Sequence, residues 1–475
     1  MSIALAVAVA LLPGILPALA VGGRHPVTPF LVPLATAAMA AVAAVVMLAT
    51  AGSLVVWFAI VAVGCNVAAV TAIPAALVSD RTPGPAWWPW ASLATVVAAV
   101  SWPLLVLNAP IIETDSQAIW LLHAAMISGG HSTLVADLTN TGYLFSHPDY
   151  PPLVPAVGAL LYAVRGAVDD HLALAATVSL NACVVGVAAT GLLSRVPATT
   201  TWIRRTACLL LVFLLSGAIY GVTGADALNG YADLLYAGAG LGAVIYGLLL
   251  PRSPRHLAVA SLCLAIAALT KNEGMLTAVI VAVLVIARQQ RRGMGLRQRL
   301  ATLGVALALV PGAIWMLIIR ADGLSDSFFA SSSGETLDTR LSATVSQMSN
   351  QLRLVLPAIL VLIAGTLLLR HHRSRLGIGD WRWLWTGGIV YTLGIAATYV
   401  IGSPEINWWL NTSVVRTTIF ANASLQVDMT AWLLVAICVL GDEGRTSPER
   451  PASTSAAGGW GSDALSRASA GRPSE

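Results

Sequence analysis

The chain has 475 residues, of which 57% are hydrophobic and only 10% charged. Soluble proteins carry about 25% charged residues, so this composition excludes an ordinary soluble enzyme and points to a polytopic membrane protein, all-α, forming one integral domain. The formal net charge of +4 says little about partners, because membrane orientation follows local Lys and Arg and not the total.

Apolar runs of membrane-spanning length recur along nearly the whole chain. In chain order, spans are expected near 2–22, 29–51, 54–78, 88–109, 171–194, 205–223, 231–250, 256–270, 275–288, 301–320, 352–370, 383–402 and 427–441, about thirteen helices. No Lys or Arg precedes Arg24, so the basic region of a signal peptide is missing and residues 2–22 read as a first span. The arginines alternate between loops and peak at Arg288, Arg291, Arg292, Arg297 and Arg299. They make the loops at 24, 81, 195–205, 252–255, 288–299 and 370–382 cytoplasmic. Twenty of 26 Lys/Arg then lie inside, while 15 of 22 Asp/Glu lie outside.

Three outer segments exceed simple turns: 110–170, a Ser- and Gly-rich loop at 321–350 containing Phe328 and Phe329, and 403–426. The short apolar stretch Val154 to Val164 is expected to lie in the outer interface. The cytoplasmic tail, rich in Ser, Gly, Ala and Pro, cannot bury a core and is expected to be disordered. The five cysteines (Cys65, Cys183, Cys208, Cys263 and Cys438) all fall within apolar runs and read as small buried hydrophobes.

The chemistry-bearing residues cluster on the expected outer side. Glu113 and Asp115 follow a span directly, where poor solvation and crowding suit one carboxylate for general-base work. Thr114 or Asp115 as a helix N-cap is the alternative. His147-Pro148-Asp149-Tyr150-Pro151-Pro152 reads as a Pro-rich turn or as a weak ligand pair. Asn229-Gly230-Tyr231-Ala232-Asp233 forms a tight turn that puts Asp233 in the first turn of the next helix. Lys271 is the only lysine in the chain. Such a cation bordering a membrane is expensive to place and reads as functional, either as a phosphate ligand or as a structural pair with Glu273. Trp408 and Trp409 read as an interfacial belt, and Arg416 as a second phosphate ligand, its fork matching phosphate oxygens. There is no GxxxxGK[ST] or GxGxxG nucleotide motif, so an activated substrate on the outer face would be lipid-borne.

Taken in order, these motifs resemble the GT-C class of integral-membrane glycosyltransferases, in particular bacterial proteins related to protein O-mannosyltransferases and aminoarabinose transferases. The resemblance covers about 88–441, with 1–87 as extra N-terminal helices and 442–475 as the tail. It implies a polyprenyl-phosphate sugar donor and inverting transfer on the outer face of the plasma membrane to an envelope glycan, lipid or protein. Asp115 matches the general base, with Glu113 beside it. Lys271 and Arg416 would neutralise the leaving phosphate. His147, Asp149, Tyr150, Asn229, Asp233, Glu273 and Trp409 would bind substrate. A divalent cation is left open, and a nucleic acid is not expected. The rival reading is a lipid-linked glycan flippase or secondary transporter, which predicts charges near mid-span and broken helices.

Overall fold

The computed structural model describes residues 2–78, 107, 110–111, 114–194, 196, 201–223, 228–290, 295–323, 334–369, 382–402 and 404–439. The expected span at 88–109, apart from residue 107, lies outside these residues, as do Glu113, Phe328, Phe329 and the tail from 442.

The described residues form helices and connecting turns, with no strand among them. Seven helical stretches are long and apolar enough to cross a membrane. The first is α1 (Ile3–Gly22), which a tight turn at Leu12–Gly14 interrupts at Pro13. Next come α2 (Thr28–Ala49) and α3 (Leu54–Val78). One flank of α3 leaves Val55, Val56, Ile60, Val63, Val67 and Val70 exposed, a stripe suited to lipid.

The segment expected as the first outer loop is itself helical. It contains a π-turn at Ser116–Leu121, then α4 (Leu122–Ser128), α5 (His131–Leu138) and α6 (Leu153–Arg165). Helix α6, expected as a short interfacial helix, is covered by protein. Leu153, Val154, Ala156, Ala159, Leu160, Leu161 and Tyr162 are all buried, packed against α2, α4 and the next helix. Its apolar residues occupy more than one face, so protein covers it. Gly166, in the left-handed region at φ 80°, ends it.

Helix α7 (Asp170–Leu193) is capped by Asp169, which accepts from the Leu172 amide at 3.1 Å. Helix α8 (Trp202–Thr223) follows. Helix α9 (Asp233–Val244), continued by a π-turn at Ile245–Leu249, is the axis of the bundle, and every residue of it is buried. Its glycines allow this packing. Gly238 meets Val184 of α7, and Gly242 meets Cys263 of α10 (Pro254–Thr270). Small residues bring apolar helices close where no hydrophobic force drives them together. Helix α11 (Asn272–Gln290) returns against α9 and α10, followed by α12 (Leu296–Leu307) and α13 (Val310–Ala321), which Pro311 separates.

The last third corrects two expected loops. Helix α14 (Leu337–Leu369) runs for 33 residues and begins inside the 321–350 segment. No Gly or Pro occurs between 335 and 356, and Arg340 and Thr344 are buried, so the helix outlasts its apolar stretch. After α15 (Arg382–Ile401), the expected loop 403–426 is α16 (Ile406–Thr417) leading into α17 (Ile419–Val439). Glu405 caps α16 through the Asn407 and Trp408 amides at 3.0 and 2.7 Å. Arg340 ties the start of α14 to this region, donating to the carbonyls of Tyr399, Val400 and Pro404 and pairing with Glu335 at 2.8 Å.

Helices approach closely at Gly274, where a Cβ would overlap the Ala267 carbonyl oxygen and Tyr236 Cβ. Gly274→Ala is expected to lower stability by about 1–3 kcal/mol through overpacking. Gly388→Ala, where a Cβ meets nothing within 4 Å, is expected to leave it unchanged or raise it. Thermal denaturation of both variants in one detergent compares them.

Candidate functional site

The site is assembled at helix ends. Asp233 opens α9 and is 2% exposed. Lys271, 3% exposed, sits in the extended link between α10 and α11. Arg416 lies in the last turn of α16. Lys271 Nζ donates to Asp233 Oδ1 at 2.8 Å. Arg416 donates to Asp233 Oδ2 through Nη2 at 3.0 Å and Nε at 3.1 Å, and pairs through Nη1 with Asp115 Oδ2 at 2.8 Å. The structure thus brings together Asp115, Asp233, Lys271 and Arg416. One sequence alternative is corrected, and a second, the pairing of Lys271 with Glu273, is present beside a closer partner. Asp115 makes no side-chain cap bond, and its carboxylate turns to Arg416 instead. Lys271 pairs first with Asp233, because Glu273 Oε1 stands farther off at 3.8 Å.

Arg416 is held from its backbone as well. Tyr236 Oη donates to the Arg416 carbonyl at 3.1 Å, and Tyr391 Oη donates to the Thr417 carbonyl at 2.7 Å. These bonds satisfy carbonyls that a helix C-terminus leaves open. The guanidinium lies 4.4 Å from the Tyr231 ring centroid, a cation–π arrangement.

The Pro-rich turn forms the second wall. The rings of His147 and Tyr150 stack at 4.7 Å, and Tyr150 stacks on Trp120 at 5.6 Å. Lys271 Nζ lies 5.4 Å from the Tyr150 centroid. His147 takes the left-handed region at φ 53°, which is uncommon for a residue with a side chain. Its carboxylate neighbour is not turned toward it as a ligand pair. Asp149 Oδ2 accepts from Asn272 Nδ2 at 2.5 Å, and its carbonyl accepts from Trp315 Nε1 at 3.2 Å. Asp149 Oδ1 and Glu273 Oε2 are buried without a hydrogen-bond partner.

Burial and the charges of Lys271 and Arg416 push the His147 imidazole down to about 4, against a smaller opposing pull from Asp115. Burial and then His147 hold His123, which shares a 3.0 Å hydrogen bond with Ser146, also at about 4. Burial raises the Asp149 carboxyl to about 6, with Glu273 adding to the rise and the Asn272 bond, the carboxylate's own main-chain amide and Lys271 opposing it.

Two expected residues stand apart from the ion pairs. Asn229 contributes its main-chain carbonyl, which accepts from Ser116 Oγ and so fastens the Asp115 segment to the turn before α9. The Trp409 ring packs edge-on against Tyr399 at 4.7 Å. The sequence reading gave no role to Trp120, Tyr231 and Asn272, which lie in its motifs, and missed Tyr236, Trp315 and Tyr391. Tyr236 lies one turn after Asp233 and Asn272 adjoins Lys271, so helical spacing and adjacency were the available signals. No group of three or more His, Cys, Asp or Glu among the described residues is arranged to hold a metal ion. An apolar cavity of about 320 Å³ lies nearby between α14, α15 and α17, lined by Trp385, Thr392, Thr418, Leu425 and Asp428.

Asp233→Ala leaves Lys271 buried without its closest partner and is expected to cost about 3–5 kcal/mol. Asp115→Asn disrupts a partly exposed pair and is expected to cost about 1 kcal/mol or less. Replacing Asp233 and Lys271 together by Leu is expected to recover much of the loss, as chemical denaturation can measure. The two shifted groups of the turn have opposite pH signatures. The depressed His147 contributes stability that is full above pH 6.5 and lost as pH falls toward 4. The raised Asp149 contributes stability that is present below pH 3.8 and lost as pH rises through about 6. Between pH 4 and 6.5 the Tm of His147→Phe is therefore expected to rise relative to wild type on acidification, and that of Asp149→Asn to fall relative to wild type, read as apparent Tm against pH.

No family model matches the chain, and no curated protein or solved structure matches it significantly.

Proposed function

We propose that the chain is an integral-membrane glycosyltransferase of GT-C type, which moves a sugar from a polyprenyl-phosphate donor to an acceptor on the outer face of the cytoplasmic membrane. The carrying observation is the meeting of Asp115, Asp233, Lys271 and Arg416, from four distant segments, in one charged cluster at helix ends. In this reading about thirteen helices cross the membrane, the cluster faces outward and the C-terminus is cytoplasmic.

Asp115 takes the proton of the acceptor hydroxyl. The oxygen attacks the anomeric carbon from the face opposite the phosphate, and the bond from that carbon to the phosphate oxygen breaks with its electron pair leaving on the phosphate. The donor's phosphodiester becomes a monoester and gains a negative charge, which Lys271 and Arg416 neutralise. Asp233 holds both cations in place between turnovers. The Asp115 side chain is about 31% exposed, so an acceptor can approach it. The apolar cavity begins at Thr418, two residues from Arg416, and suits part of an isoprenoid chain.

The flippase or transporter reading is favoured by one observation, Asp428, buried at 1% within α17 and lining the cavity. Two assays separate the readings. Purified protein is incubated with a polyprenyl-phosphate sugar and candidate acceptors, and release of polyprenyl phosphate is measured. The same lipid is followed across proteoliposome leaflets. Asp115→Asn is expected to lower transfer about 10²–10⁴-fold with the fold intact. Lys271→Ala is expected to weaken donor binding by about 1.5–3 kcal/mol. Full transfer activity in Asp115→Asn would reject its role as base, and leaflet movement without transfer would favour the transporter.

A further inference from the structure

The cluster holds more negative charge than an anion-binding site should. Among the described residues, Asp115, Asp149, Asp233 and Glu273 surround two cations, Lys271 and Arg416, so these six groups fully ionised carry a net charge of −2. His147 adds no compensation, because burial and the two cations keep it neutral near pH 7. Both cations are already engaged by carboxylates. An incoming phosphodiester brings one further negative charge into a buried place. Something positive has to enter with it or be present already.

The groups around Asp149 show where. Lys271 and Glu273 act on it from the link before α11 and from its first turn, Asn272 donates to Oδ2, and Trp315 of α13 donates to its backbone. Asp115 and Arg416 act on the adjoining His147, and Asp233 takes up the nearer face of Lys271. Asp149 Oδ1 remains buried without a partner, as does Glu273 Oε2. A hydrogen on Asp149 Oδ1 removes one of the excess charges and gives that orphaned oxygen a donor to share. By contrast, both Asp233 oxygens are committed to Lys271 and Arg416.

We propose that this site binds its anionic lipid-phosphate substrate together with one proton, and that Asp149 holds that proton. The inference rests on the glycosyl-transfer reading for the identity of the anion. The free-state carboxyl titrates at about 6, so near pH 7 it is mostly ionised and must take up a proton as the anion arrives. Binding then follows the protonated fraction. Affinity is level below about pH 6 and falls up to about tenfold per pH unit above it.

The test uses farnesyl phosphoryl-glucose, a phosphodiester that does not itself titrate near neutrality, and the full-length protein in detergent. Calorimetric titration at pH 7 in two buffers of different ionisation enthalpy counts the protons taken up, and Kd is followed from pH 5 to 8. Wild type is expected to take up close to one proton per lipid bound and to show the break near pH 6. Asp149→Asn, which is nearly isosteric and permanently neutral, is expected to take up none, with a Kd level across the range. Should that variant not fold, Glu273→Gln is expected to move the break to lower pH by removing a repelling charge. Binding by wild type with equal enthalpy in both buffers and a level Kd overturns the inference and leaves the glycosyl-transfer reading standing. So does a proton uptake or a break that Asp149→Asn, or Glu273→Gln in its place, leaves unchanged. Absence of binding to wild type overturns the glycosyl-transfer reading and the inference with it.

Discussion

The carboxylate of Asp233 fixes the centre of the molecule. A buried, ionised carboxylate is tolerated only when its charge and its lone pairs are both matched. Here Lys271 serves one oxygen, and Arg416 serves the other with two N–H groups. Matching them requires the extended break between α10 and α11 and the end of α16 to meet the first residue of α9. The tyrosine hydroxyls that cap Arg416 and Thr417, and the ring of Tyr231 beneath the guanidinium, follow from holding that arginine in place.

Hydropathy made much of the fold legible, because a helix that meets lipid must be apolar over a membrane's thickness. The N-terminal three helices, α7 and α11 lie close to their expected places. The failures share one cause. The helical state depends on backbone and propensity, and apolarity marks only the part covered by lipid or core. Helix α14 runs well beyond its apolar stretch, and α16 is a helix of mixed polarity with its own Glu405 cap. Conversely, α6 is apolar for a reason other than lipid, since neighbouring helices enclose it.

The site was legible as a set of residues and not as a wiring diagram. The cost of a lone lysine at a membrane border marked Lys271, whereas the resemblance to a family, and not the residues alone, singled out Asp115, Asp233 and Arg416. Their pairing was hidden, because Asp233 and Arg416 are 183 positions apart and no local spacing relates them. Nearest neighbours misled for the same reason. Glu273 lies two residues from Lys271 and does pair with it at 3.8 Å, yet Asp233, 38 positions away, has the closer contact. The aromatic stack of His147, Tyr150 and Trp120 was equally hidden, since Trp120 lies in a different turn.

The enclosure of α9 has a consequence for how the chain is made. Its neighbours include α7, which precedes it, and α17, the last helix described, whose Phe420 lies against Gly240. A ribosome adding about 5–20 residues per second needs roughly 10 to 40 s to travel from Asp233 to Arg416. Through that interval the central helix has a glycine flank uncovered, and from the synthesis of Lys271 onward its carboxylate has only one of its two cations. The middle of this protein is therefore completed last, and a nascent chain that stops before α16 leaves its most costly charge half matched.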